Sequence, residues 1–76
     1  MSWVIRGFER DGDALVREIA VDDALRVVFR RLLDVPESDP MYDSFPLDQH
    51  ALERLAEMLM LEFDTTSENY FLEFDA

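Results

Sequence analysis

The residues best suited to chemistry are few, and their spacing argues against catalysis. There is no cysteine in the 76-residue chain, so thiolate catalysis and thiolate metal ligation are both excluded. The single histidine, His50, falls in the first turn of a predicted helix and reads as an exposed polar residue. The serines at positions 2, 38, 44 and 67 lack the flanking glycine elbow and oxyanion donors that acyl transfer requires. Carboxylates are abundant, but acid–base work needs a pair of them in a cleft with one proton affinity raised, and so short a chain leaves little volume for a cleft. Asp11-Gly12-Asp13 and the stretch from Asp39 to Asp43 offer oxygen ligands to calcium, yet neither has the spacing or the terminal bidentate Glu of an EF-hand loop. Two glycines, Gly7 and Gly12, make no phosphate-cradling loop. The chain is therefore expected to be no enzyme and to carry no cofactor and no metal.

What remains is binding, and charge is its clearest sign. Eighteen Asp and Glu stand against seven arginines, a formal charge of −11. Residues 1–31 hold six of the acids and six arginines, whereas residues 32–76 hold twelve acids and Arg54 alone. Such a field repels nucleic-acid phosphates and anionic lipid and accelerates encounter with a basic protein. Within the acidic part, Glu37-Ser-Asp39-Pro-Met41-Tyr42-Asp43-Ser-Phe45 sets one Met and two aromatic residues among three acids, the composition of an apolar anchor with a polar rim. Those three side chains have a second use, folding back to close the edge of the core, with Phe45 inward and Tyr42 outward. Met58 and Leu61 fall beside a buried stripe as a further apolar contact.

These groups must be positioned by a small frame. A chain of this length forms one domain, residues 1–76, with a single modest core; its hydrophobic content of 49% argues against disorder. Trp3–Glu9 is rich in β-formers, Asp11-Gly12 suits a tight hairpin turn, and Ala14–Val21 forms the return strand with Leu15, Ile19 and Val21 on one face. Asp22 caps a helix whose core stripe is Leu25, Val28, Phe29 and Leu32. Asp22, Arg26, Arg30 and Asp34 recur every four residues on its far side as surface ion pairs. Pro36, Pro40 and Pro46 make the next stretch a loop. Asp48 caps a second helix, with Leu47 and Leu52 as a hydrophobic staple, Leu52, Leu55, Ala56, Leu59 and Phe63 inward, and Glu53 and Glu57 outward. Tyr70–Asp75 is a last strand. The expected fold is α+β: a three-stranded sheet in ββααβ order with two helices packed on one face, the first strand central and the last strand parallel to it. No run reaches the length of a membrane span and the opening residues lack a signal-peptide pattern, so a cytoplasmic location is expected.

The opening Val4-Ile-Arg-Gly-Phe8, the stretch Asp39-Pro-Met-Tyr-Asp-Ser-Phe-Pro-Leu47 and the closing Tyr70-Phe-Leu-Glu-Phe-Asp75 resemble small acidic bacterial immunity proteins of polymorphic toxin systems, including contact-dependent growth inhibition. The resemblance implies neutralisation of a cognate toxin, often a basic nuclease, by covering its active site. An acidic surface is what such a partner would require, and Glu37, Asp39, Tyr42, Asp43, Glu53 and Glu57 are the expected contact residues. A second reading is a non-enzymatic regulatory or adaptor domain that binds a host protein, or pairs with a second copy as a homodimer, through an uncovered edge strand.

Overall fold

The protein is described from a computed structural model over residues 2–36, 38 and 44–75, with Ser2 and Asp75 described by backbone only. The elements are β1 (Ser2–Glu9), β2 (Leu15–Val21), a 3-10 turn (Asp23–Leu25), α1 (Arg26–Leu32), β3 (Phe45–Pro46), α2 (Gln49–Leu59) and β4 (Glu68–Asp75). The α+β class and the two helices match expectation. The sheet has four strands rather than three, in the order β2-β1-β4-β3, and every neighbouring pair is antiparallel. β1 is central to the three long strands, but β4 runs against it and not with it. The reason is β3. Two residues of the expected loop cross the sheet edge and pair with Leu72 and Phe71, which adds one traverse and reverses the direction of the final strand.

Helix starts follow local chemistry. Asp22 accepts a hydrogen bond from the Ala24 amide and Asp48 from the Ala51 amide, each at 2.8 Å, satisfying donors that the first helical turn leaves open. The first helix opens as a 3-10 turn, and Asp23 is used differently from a simple first-turn acid: its Oδ1 accepts the Trp3 indole N–H at 2.8 Å. α1 ends with Asp34 at φ 54°, while the Val35 amide donates to the Arg30 carbonyl and the Asp34 amide to the Arg31 carbonyl. This is a Schellman stop built without glycine. α2 ends at Leu59 with Met60 at φ 55°, so Phe63 lies beyond the helix rather than on its last turn, though it still packs on the core.

The core lies between one sheet face and the helices. Trp3 and Ile5 of β1, Tyr70 and Leu72 of β4 and Val21 of β2 are buried with Phe29 of α1, Ala51, Leu52 and Leu55 of α2, and Leu47. The staple pair Leu47 and Leu52 is therefore inside, and Phe45 packs against the same cluster, as its inward placement required. Trp3 meets Phe74 edge-on at 4.9 Å, and Phe63 meets Tyr70 in the same way at 4.9 Å. Gly7 sits under that second pair. A Cβ built on Gly7 would stand 2.8 Å from Tyr70 Cε1 and 3.1 Å from Glu68 Oε1, so the ring occupies the space a side chain would fill. Tyr70 in turn accepts the Asp64 amide N–H on its hydroxyl at 3.0 Å.

Gly7→Ala is accordingly expected to destabilise the domain by about 1–3 kcal/mol, since the overpacked ring must leave its partners and the normal strand advantage of alanine is smaller. Urea or thermal unfolding measures it; an unchanged midpoint would mean that Tyr70 swings aside at no cost.

Candidate functional site

Of the six contact residues expected from sequence, Glu37, Asp39, Tyr42 and Asp43 lie outside the described residues. Glu53 and Glu57 are exposed on α2, one turn apart, and border different hollows. Glu53 accepts a hydrogen bond from Gln49 Nε2 at 3.4 Å and borders a hollow with Phe63 and Thr65. Glu57 borders a different hollow, with Arg31, Arg54 and Met58.

Many other acids are committed to the fold. Asp22 and Asp48 cap helices and Asp23 holds Trp3. On the sheet face away from the helices, Arg6 joins both neighbouring strands: Nε lies 3.3 Å from Oε2 of Glu18, directly opposite on β2, and Nη1 lies 2.9 Å from Oε1 of Glu73, diagonally across on β4, where Phe71 is the residue opposite. Arg17 donates to the Glu62 carbonyl at 2.7 Å and lies 3.9 Å from Glu68 Oε1. Asp64 accepts hydrogen bonds from the hydroxyls of Ser67 and Thr66, which lower its pKa from the usual 3.8 to about 2. Burial raises the pKa of the Tyr70 hydroxyl nearby.

The side chains of Asp34, Glu57 and Glu62 make no hydrogen bond or ion pair among the described residues, and neither do those of Glu9, Asp11 and Asp13. The last three surround the β1–β2 connection, which is not the tight two-residue turn expected. It runs through Arg10–Ala14, is closed by the Glu9 amide on the Ala14 carbonyl at 3.0 Å, and needs no positive φ at Gly12. The register shifts by one residue immediately after this connection. Gly7 faces Arg17 while Phe8 faces Leu15, leaving Val16 as the extra residue of a β-bulge. One inserted residue reverses the alternation, so Leu15 does not join Ile19 and Val21 on the core side as expected. It sits across from Phe8 instead, and Leu15 and Val16 are 45% and 47% exposed. Phe8 continues the apolar surface to Phe71, ring centroids 5.8 Å apart.

This end of the sheet thus carries exposed apolar side chains close in sequence to several acids. Glu9, Asp11, Val16, Ser67 and Glu68 border a shallow hollow of about 340 Å³ there. β2 is an outer strand that pairs only with β1, so backbone groups on its far side are available to another chain. From the sequence, Asp11 reads as part of a hairpin turn, and Asp11 and Asp13 as oxygen donors available to calcium. The signal that would have located the surface was the adjacent pair Leu15-Val16, which breaks strict alternation just where acids crowd. Among the described residues, no group of three or more His, Asp or Glu is close enough to hold a metal ion. No helix among them is long and apolar enough to cross a membrane.

Over residues 2–73 the chain matches the family described as Domain of unknown function (DUF7683). It belongs to that family. No curated protein and no solved structure matches it. Family membership thus names a shared domain without a chemistry, and the surface itself must carry the functional argument.

The Asp64 turn that presents Ser67 and Glu68 to this surface is open to a pH test. Because the folded-state pKa of Asp64 lies below its ordinary value, its contribution to stability is present above pH about 4 and is lost as pH falls toward 2. Asp64→Asn should therefore be less stable than wild type at neutral pH, with the gap narrowing across that acid range. Acid unfolding followed by circular dichroism measures it, and a gap independent of pH would refute the assignment.

Proposed function

We propose that this domain is a non-enzymatic binding module that captures a basic protein, and that the partner is a toxin which it neutralises. One observation carries the reading: Glu9 and Asp11, whose carboxylates have no hydrogen-bond or ion-pair partner among the described residues, border a hollow with the exposed Val16 beside an open strand edge. Exposed apolar side chains supply affinity through desolvation, and nearby charges of one sign supply steering and register. The overall charge of −11 extends the attraction beyond contact distance. A cationic groove built for phosphate is a complement to such a surface, which is what the likeness to immunity proteins of toxin systems would demand. Glu37, Asp39, Tyr42 and Asp43, with Glu53 and Glu57 on α2, form a second set of proposed contacts. Cytoplasmic residence belongs to the same proposal.

A second reading rests on the unpaired edge of β2: an adaptor that recruits a host protein or pairs with its own copy by strand addition. In an antiparallel β2–β2 contact the acids Asp13 and Glu18 of the two copies approach one another. Self-association by this route should therefore strengthen as salt screens the repulsion, the reverse of toxin capture.

Co-purification with the product of the gene immediately upstream, followed by association kinetics at low and high salt, separates the two. The toxin reading expects a stoichiometric complex whose on-rate falls by about tenfold or more with added salt. Glu9→Gln, Asp11→Asn and Asp13→Asn together should slow association further while leaving the unfolding midpoint nearly unchanged. Binding indifferent to salt and to these changes would remove the acidic-surface proposal. A homo-oligomer favoured by salt would establish the second reading.

A further inference from the structure

The helical side of the molecule has the opposite chemistry. Four of the seven arginines stand there, Arg26, Arg30 and Arg31 on α1 and Arg54 on α2. The sequence spacing predicts ion pairs for Arg26 and Arg30 with Asp22 and Asp34, and the fold does not supply them for Arg26. Among the described residues, Arg26, Arg31 and Arg54 have no ion pair and no side-chain hydrogen bond, in a chain with 18 acids. Asp34 takes a left-handed conformation at the end of α1, and Arg30 donates to the Pro36 carbonyl at 2.5 Å. Arg26 Nε is shielded from solvent and has no hydrogen-bond partner among the described residues. A guanidinium donor in that position carries a desolvation cost with nothing to offset it.

Between these cations the surface is apolar. One hollow of about 670 Å³ is bordered by Arg26, Val27, Arg30, Arg31, Asp34 and Val35, and a second of about 370 Å³ by Val28, Arg31, Leu32, Arg54, Glu57 and Met58. Arg31 borders both, so they form one track along α1 toward α2. Val27 is 62% exposed and Met58 44%. Along the track four arginines face two acids, Asp34 and Glu57.

We propose that this track is a second docking site, for a segment of a partner protein that carries acids and apolar anchors together, such as an acidic amphipathic helix. Charge selects the sign: Arg26, Arg31 and Arg54, unpaired among the described residues, are completed by carboxylates, which Arg can take bidentately. The apolar floor selects the class. Phosphate, or a nucleic acid, gains nothing from Val27, Val28, Leu32 and Met58 and is repelled by the net charge at long range. An acidic segment with Leu, Phe or Met at one-turn spacing satisfies both the floor and the rim.

The test is selection of random displayed peptides of about 15 residues, roughly four helical turns, on the intact protein, followed by binding measurements on the selected peptides. The site predicts a class rich in Asp and Glu with apolar residues three or four apart. Its affinity should fall by about tenfold or more in Arg31→Ser/Arg54→Ser and in Val27→Ser/Met58→Ser, all exposed positions whose change should leave the unfolding midpoint in place. Amide shifts in isotope-labelled protein should cluster in 26–35 and 54–61. The same class should bind undiminished to Glu9→Gln/Asp11→Asn/Asp13→Asn, which keeps this site separable from the acidic one: loss of basic peptides alone would bear on the toxin reading only. Absence of an acidic class, equal binding to the arginine variants, or competition by plain polyglutamate as strong as by the selected peptides would overturn the proposal. So would concentration-dependent self-association abolished by the arginine changes, which would make a second copy the occupant.

Discussion

The fold depends on one ladder, the antiparallel pairing of Ser2–Glu9 with Glu68–Asp75. It joins the two ends of the described chain and so encloses everything between them. Closing a loop that long costs only modestly more entropy than closing a short one, because the cost grows as the logarithm of length. Eight residue pairs formed in register are then available to offset it. The same ladder brings Trp3 against Phe74 and Ile5 against Leu72, which makes the sheet face on which Phe29 and Leu55 pack. Gly7 opposite Tyr70 is where that ladder is most tightly specified, since the ring lies over the missing side chain.

The other face of the ladder has a different role. Arg6 stands between Glu18 and Glu73 on its two neighbouring strands, and Ser44 adds a hydrogen bond to the second oxygen of Glu73 at 2.9 Å. Each exposed pair is worth little alone. Together they set the strands of the uncovered face in register with polar contacts, leaving the apolar contacts Phe8, Phe71 and Leu15 toward the hairpin end. The bulge at Val16 is what divides the two regions. Without the inserted residue Leu15 would follow Arg17, Ile19 and Val21 to the helical side.

What could be read from the sequence was what is decided locally. Asp22 and Asp48 were legible as caps because a cap needs only its own first turn, and the inward stripe of α2 was legible through Leu52 and Leu55 because helical spacing fixes it. The direction of β4 was not legible. It depends on whether the proline-rich segment crosses the sheet an extra time, and Phe45–Pro46 is too short to announce itself as a strand and is decided by pairing with residues 71 and 72. The bulge was hidden for a similar reason: Leu15 and Val16 have strand propensity on either register, and only the partner strand determines which is supernumerary. Of the expected site residues, Glu53 and Glu57 lie on the exposed face of α2 as the spacing required, but their charged neighbours were not foreseeable, since Arg31 reaches the Glu57 region by packing of one helix beside another.

The distribution of charge ties these points together. A uniform coat of acids would serve solubility and nothing else. Here several of the described acids are held by a cap, a turn or an arginine. Among the described residues, Glu9, Asp11 and Asp13 at one end have no side-chain partner, and Arg26, Arg31 and Arg54 on the helical side have none, beside Asp34 and Glu57, which are equally unpartnered. At low ionic strength the net charge of −11 governs what approaches the molecule, and a basic partner is favoured from every direction. At physiological salt the screening length falls to about 8 Å, shorter than the smallest dimension of the molecule, 18 Å. Each surface then acts through its own local charges. The two proposed sites, the acidic end and the arginine track, then differ in the sign of the partner each would favour.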